Sequence, residues 1–245
     1  MSAKTALVTG GSRGIGLAVA TALARQGWSV MITARNVDTL TEAERSLLEA
    51  GSPHVATLAC DLADHAAAQR IMARYSQDFT SMDALVLNAG VGTAGPIAGY
   101  PMSRFDKTVD VNLRDPFELL QRALPLLKEA ADANPAAGAK VIALSSLTGV
   151  YAEAGLAAYG ATKAAMLSLV ETLNAEESAH GVTGTAVAPG YVHTEMSAWI
   201  TDRIPAETMI PVEDIVEIVV SMLRMSSRTV VPRIIVTRAG AGLNA

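Results

Sequence analysis

Residues 5–16 read TALVTGGSRGIG. The first half is an apolar, strand-forming run, and from residue 14 onward the apolar side chains recur at helical spacing. Glycines 10, 14 and 16 occupy the junction between the two. In a strand–turn–helix unit such glycines have distinct uses. Gly10 permits a tight turn, Gly14 lets a ligand approach the backbone, and Gly16 lets the helix pack close to the strand. The N-terminus of the helix then presents free N–H groups and a positive dipole end, the setting for a dinucleotide diphosphate. Taken alone, the glycines also fit a plain strand-to-helix connection; their place on the first strand of the chain favours the binding turn.

The same alternation continues outward. Strands are expected at 5–10, 28–33, 54–60, 83–88, 140–145, 182–188 and 230–236. Helices are expected at 14–26, 38–50, 64–76, 103–131, 158–180 and 212–225. Most of the strand runs are apolar at every position, as in a parallel sheet covered on both faces. The pattern predicts an α/β chain: one Rossmann domain over residues 1–245, a doubly wound parallel sheet of about seven strands with helices on both faces. There is no internal repeat, and the alanine-rich stretch 129–139 reads as a helix end and surface loop.

Composition narrows the function classes. Half of the 245 residues are hydrophobic and 18% are charged, as in a folded globule. A net charge of -5 gives no general attraction to nucleic acid. No apolar run approaches the roughly 20 residues needed to span a bilayer, and MSAK leads straight into the first strand with no secretory core, so no membrane role is expected. The single cysteine, Cys60, has no disulfide partner, which fits a reducing cytoplasmic location. The four histidines, including His193, lack metal-ligand spacing.

The second strand bears on which dinucleotide is bound. A carboxylate is usual about 20 residues beyond the glycines, on the ribose 2′-hydroxyl of NAD. Here the strand ends TARN, placing Arg35 in that region, and Arg13 lies inside the glycine turn. Two guanidinium groups suit a 2′-phosphate, so the expected cofactor is NADP(H). Asp38 is the rival ribose ligand, but NVDTL reads as a helix N-cap.

Further motifs follow in order: CDLAD (60–64), NAG (88–90), VNL (111–113), SS (145–146), YGATK (159–163) and PGYVHT (189–194). With the glycine turn, this series resembles the short-chain dehydrogenase/reductase family in its compact form, similar to 3-oxoacyl reductases. The resemblance runs from residue 5 to about 195. It implies cofactor contacts from Gly10, Ser12, Arg13, Gly14, Ile15 and Gly16, from Asp61 and Leu62 on the adenine, and from Asn88, Ala89 and Gly90. It also implies that Pro189, Gly190, Val192 and Thr194 close over the nicotinamide.

Tyr159 and Lys163 lie one turn apart on one helical face. Tyr159 is expected to be the general acid for carbonyl reduction, and the base for oxidation. A free tyrosine titrates near pH 10, and a neighbouring ammonium is expected to lower that value. The resemblance gives Lys163 a second role on the nicotinamide ribose. Ser145 and Ser146 are both chemically able to hold the substrate oxygen; the family's spacing, thirteen residues before the tyrosine and three before Gly149, selects Ser146. It also implies that Asn112 positions a water in a relay toward Lys163.

The stretch 195–211 reads as a short substrate lid, with Met196, Trp199, Ile200, Met209 and Ile210 as its apolar residues. Leu147, Tyr151 and Tyr191 join Met196 and Trp199 as candidate substrate contacts. The expected partner is a small carbonyl or alcohol. The chain is expected to form a homodimer or homotetramer, although Pro232 within 230–245 departs from the family's usual C-terminal strand. An oxidative alcohol dehydrogenase is one alternative, disfavoured by the two arginines. A non-enzymatic dinucleotide sensor is another, disfavoured by the intact Asn112, Ser146, Tyr159 and Lys163 set.

Overall fold

The apolar runs resolve into strands at all seven expected places. In the computed structural model, which describes residues 3–241, these are β1 (Thr5–Thr9), β2 (Ser29–Ala34), β3 (Val55–Ala59), β4 (Ala84–Leu87), β5 (Ala139–Leu144), β6 (Val182–Pro189) and β7 (Arg233–Val236). They form one parallel sheet in the order β3-β2-β1-β4-β5-β6-β7. The chain runs from β1 out to one edge, returns to β4 beside β1, and continues to the other edge. This reversal opens a crevice beyond the carboxyl ends of β1 and β4, the place where doubly wound sheets bind ligands.

Alternate strand residues feed two cores. Val8, Ile32, Val86, Ile142 and Val187 pack beneath α1 (Gly14–Arg25), α2 (Val37–Glu49) and α7 (Val212–Arg224). Leu7, Met31, Leu85, Val141 and Ala186 pack beneath α3 (Ala67–Asp78), α5 (Asp115–Ala133) and α6 (Ala157–Glu177). Both faces of the sheet are therefore dry over its central strands, which is why those strand sequences show no polar alternation, while the edge strand β7 stays partly exposed. Truncating one of the larger of these side chains to alanine costs about 2–5 kcal/mol.

Two expected helices differ in detail. The stretch 103–131 is interrupted: α4 (Met102–Val109) passes through a π-turn, Asp110–Arg114, into α5. The wider turn holds Asn112 inside the protein, where it accepts from Val91 N–H (2.8 Å) and donates to Val91 C=O (2.8 Å) and Thr162 Oγ1 (3.2 Å). Those bonds help offset the irregular backbone, and π-turns of this kind recur at functional sites. The stretch 158–180 ends as α-helix at Glu177; a 3₁₀ turn, Ser178–His180, follows, and Gly181 at φ 78° stops it. At the far edge Pro232 precedes β7, its carbonyl accepting Ala186 N–H, so its missing N–H costs no interior ladder bond. The last four residues of the 230–245 stretch, 242–245, lie outside the described residues, as do residues 1 and 2.

Asp115, first residue of α5, is 3% exposed, and its Oδ2 has no hydrogen-bond partner. Burial, with Glu118 nearby, raises its pKa to about 7; a backbone bond from Ala68 opposes the rise. A carboxyl whose folded pKa is raised costs the fold nothing below the unfolded value. The penalty grows as pH climbs from about 4 toward 7 and is complete above that. Asp115→Asn is therefore expected to leave stability nearly unchanged at pH 4 and raise it by about 2–4 kcal/mol at pH 8. Urea unfolding at the two pH values checks this, and equal effects at both would refute it.

Candidate active site

The glycine turn is shaped by contacts that exclude side chains. Gly10 and Gly14 have φ of 65° and 53°, left-handed values that favour glycine. A Cβ on Gly16 would lie 2.3 Å from Gly10 O and 2.4 Å from Asn88 Nδ2. Asn88 braces the same turn from β4, donating to Thr9 O (2.9 Å) and Gly10 O (3.1 Å). Arg13, at the N-cap of α1, makes no side-chain cap, and no acidic residue occupies the first turn. The first N–H groups of α1 are thus left for a ligand, as an anion cradle requires.

The turn opens into a cavity of about 1140 Å³ that runs across the carboxyl ends of the strands. The expected cofactor residues Gly10, Ser12, Arg13, Gly14, Ile15 and Arg35 line it, as do Asp61, Leu62, Asn88, Ala89 and Gly90. Pro189, Gly190, Val192 and Thr194 line its far wall. Gly16 does not; it is the packing glycine behind the turn. Asp61 also turns its own backbone, Oδ1 accepting from Ala63 N–H at 3.0 Å.

The two arginines differ. Arg35 is exposed at the end of β2 and has no ion pair among the described residues. Arg13 is paired with Glu195, the first residue of the 3₁₀ turn Glu195–Ile200, so the glycine turn and the opposite wall are linked across the cleft. The helix N-cap read at NVDTL is made by Asn36, whose Oδ1 accepts from Thr39 N–H at 2.9 Å; Asp38 sits in the first turn of α2.

Beyond the glycine turn lie Ser146, Tyr159 and Lys163, all on the cavity wall. The two serines separate cleanly. Ser145 Oγ donates to Lys163 C=O (2.7 Å), while Ser146 Oγ accepts from Thr148 N–H (3.2 Å) and Oγ1 (2.9 Å) and lies near enough to Tyr159 to influence its titration. Ser146 precedes a 3₁₀ turn, Leu147–Gly149, that lies against α6 with no room to spare. A Cβ on Gly149 would stand 2.7 Å from the Lys163 carbonyl carbon, and one on Gly160 would stand 2.8 Å from Thr148 O. The glycines of SSLTG and YGATK therefore join the serine turn to the helix that carries the tyrosine. Gly92 packs on the Tyr159 ring from another side, its Cβ position 2.9 Å from Cδ2.

Lys163 is 4% exposed, donates to Leu144 C=O at 2.6 Å, and is pushed down to about 8 by burial. Its Nζ lies 5.6 Å from the centre of the Tyr159 ring. Tyr159 itself departs from expectation. Burial raises its pKa above the ordinary tyrosine value, and the nearby Ser146 opposes the rise only in part. The expected lowering by Lys163 is not found: burial and Ser146 account for the shift of Tyr159, and burial lowers the pKa of Lys163 as well. Asn112 does not line the cavity. Its Oδ1 and Lys163 Nζ nevertheless approach the same point beside Gly90, within 3.5 Å and 3.3 Å of a Cβ placed there.

Leu147, Tyr191, Met196 and Trp199 line the cavity as expected; Tyr151 does not. Its N–H closes the serine turn on Leu147 C=O, and Thr148, Glu153 and Leu156 form that wall instead. Glu153 and Arg104 were not singled out in the sequence. No motif marks them: Arg104 comes from α4, and Glu153 from an irregular segment whose path only the fold defines.

The sequence profile described as short chain dehydrogenase matches residues 4–204. The 3-oxoacyl-[acyl-carrier-protein] reductase FabG of Staphylococcus aureus is 31% identical over 211 residues, 85% of this chain and 83% of its own. The gluconate 5-dehydrogenase of Gluconobacter oxydans is 30% identical over 250 aligned positions, 98% of this chain and 95% of its own. The RhlG/NADP active-site complex of Pseudomonas aeruginosa superposes with a TM-score of 0.85 at 27% identity, over 97% of this chain and 95% of that one.

Proposed function

The chain belongs to the short-chain dehydrogenase family of oxidoreductases, and from that premise we propose that it reduces a carbonyl, of ketone or 3-oxoacyl type, to an alcohol with NADPH. One observation carries the reading: Ser146, Tyr159 and Lys163 share a cavity with the uncapped N-terminus of α1 and the unpaired Arg35. The bound cofactor supplies the hydride. The chain supplies everything else. The α1 N–H groups hold the diphosphate, and Asp61 and Leu62 flank the adenine side. Ser146 Oγ donates to the substrate oxygen, and Tyr159 gives that oxygen its proton as the carbonyl carbon is reduced. The raised pKa of Tyr159 keeps the phenol protonated at neutral pH, the state a proton donor needs. Lys163, anchored by Leu144, binds the ribose side and restores the proton. Asn112 holds Val91 and α6 in place, and its carbonyl oxygen supports a water beside Gly90. Residues 195–211 act as a lid on a single-domain enzyme, and exposed Phe117 on α5 supports self-association through the α5–α6 face. Cys60 is buried and unpaired, consistent with a reducing cytoplasm, and no described helix is long and apolar enough to cross a membrane.

The gluconate 5-dehydrogenase relative supports a second reading, the same chemistry run as oxidation with Tyr159 as base. An NADPH-oxidation screen over ketones, 3-oxoacyl thioesters and keto acids tests the proposal. Turnover of at least one carbonyl is expected; cofactor binding without any turnover, in either direction, would sink it. The cofactor preference has its own test. Arg35 faces the 2′-position without a competing carboxylate, whereas Arg13 must leave Glu195 to help. Arg35→Asp is expected to cut the NADPH-over-NADH affinity ratio by about tenfold or more. Equal affinities in the unmodified protein would refute the 2′-phosphate assignment.

A further inference from the structure

Of the carboxylates lining the cavity, Asp61 is assigned to the adenine side and Glu195 is paired with Arg13, which leaves Glu153 without a partner charge or a role in proton transfer. Glu153 is half-buried on the cavity wall, in the segment between Ser146 and Tyr159. Its position is set from two sides. Glu153 C=O accepts from Leu156 N–H, and Gly155 C=O accepts from Gly95 N–H (2.8 Å), tying the segment to the loop across the cleft. Its Oε1 accepts from the Tyr191 hydroxyl at 2.7 Å. Tyr191 meets Trp199 edge-on, with ring centres 6.3 Å apart, and its hydroxyl lies within electrostatic reach of both Glu153 and Tyr159. Glu153 has no ion pair among the described residues. Arg104 shares the cavity and Arg203 lies within electrostatic range of Tyr191, yet neither is ion-paired with Glu153.

A carboxylate so placed penalises an apolar substrate. Covering it with methylene groups removes water from an ion and returns no hydrogen bond. A substrate that brings a hydrogen-bond donor restores what desolvation takes away, through a charge-assisted bond roughly twice as strong as a neutral one. Tyr191, with Trp199 edge-on to it, supplies aromatic surface beside it, so this part of the site combines aromatic walls with an anionic acceptor that has no ion pair among the described residues. Resting on the reading of this cavity as a carbonyl reductase, we infer that Glu153 is a specificity residue: it selects carbonyl substrates carrying a hydroxyl or ammonium group beyond the reacting carbon. Plain acyl chains are discriminated against. Tyr191 positions the carboxylate by occupying one oxygen and leaving the other for substrate.

The test uses a series of ketones ending in a hydroxyl or an ammonium group, each compared with its methyl-terminated counterpart. In the unmodified protein at least one donor-bearing member is expected to exceed its counterpart in kcat/KM by about tenfold or more. Glu153→Leu should bring that ratio to about one. Glu153→Gln distinguishes the donors, retaining part of a hydroxyl preference and losing an ammonium preference. Tyr191→Phe, which releases Oε1 and loosens the carboxylate, should lower the ratio without bringing it to one. If Glu153 merely braces the Tyr191 loop, Glu153→Leu slows both members of each pair equally and the ratio survives, overturning the inference. A preference for the methyl-terminated ketones in the unmodified protein overturns it as well. Should no carbonyl turn over, the reductase reading fails separately, and calorimetric binding of the same series to the NADP-bound protein decides the Glu153 question by the same ratios.

Discussion

Tyr159→Phe is expected to lower kcat for carbonyl reduction by about 10³-fold. The substitution removes one oxygen and keeps the ring, so the packing of Gly92 on that ring persists. NADPH affinity should change by less than about tenfold, because a single neutral hydrogen bond contributes little beside the diphosphate cradle. Stopped-flow turnover and fluorescence titration of NADPH separate the two effects. The raised pKa of Tyr159 sharpens the expectation, since Ser146 has no comparable acid to offer in its place. Turnover retained within about tenfold of the parent would remove Tyr159 from the chemistry and pass the proton to water.

Gly149→Ala should reduce kcat by about 10²-fold without touching any reacting group, a loss of the size that a displacement near 1 Å produces. The new methyl would meet Lys163 C, Ala164 N and Lys163 O at 2.7, 2.8 and 2.9 Å. All three are backbone atoms of α6 and cannot rotate away, so the serine turn must lift off the helix. Ser146 moves with it, away from Tyr159, while the glycine turn proposed to hold the diphosphate lies elsewhere along the cavity. NADPH affinity is therefore expected to stay near that of the parent, and the melting temperature to fall by a few degrees. An unchanged kcat would show that the alignment of Ser146 does not depend on this contact. Gly160→Ala, which meets Thr148 O at 2.8 Å, should act in the same direction.

These two positions illustrate how the site is legible. Tyr159 and Lys163 were readable because helical period puts residues four apart on one face, and Ser146 because its spacing matches a known series. The reasons for that spacing were not readable. Gly149 and Gly160 are eleven residues apart in a chain, and their opposed positions appear only when the serine turn lies on α6. Asn112 was readable as a residue but not as the centre of a π-turn, since helical period runs through 103–131 with no break in pattern. Tyr151 looked like a pocket residue from its nearness to Ser146, yet the turn at 147–149 brings Glu153 and Leu156 to the wall instead.

What the amino-acid order determined alone is local and periodic: seven strands, the helices between them, a glycine turn at the first strand–helix junction, and a tyrosine–lysine pair on one face. Short-range sterics and the two spacings of strand and helix suffice for these. What only the tertiary structure decided is where charges end up and how strongly water is excluded around them. Arg13 faces Glu195 across 182 positions of chain, Lys163 loses its solvent, and burial favours the neutral phenol of Tyr159. The pKa of a side chain depends on the dielectric and the partners around it, and those are properties of the packed fold that no stretch of sequence carries by itself.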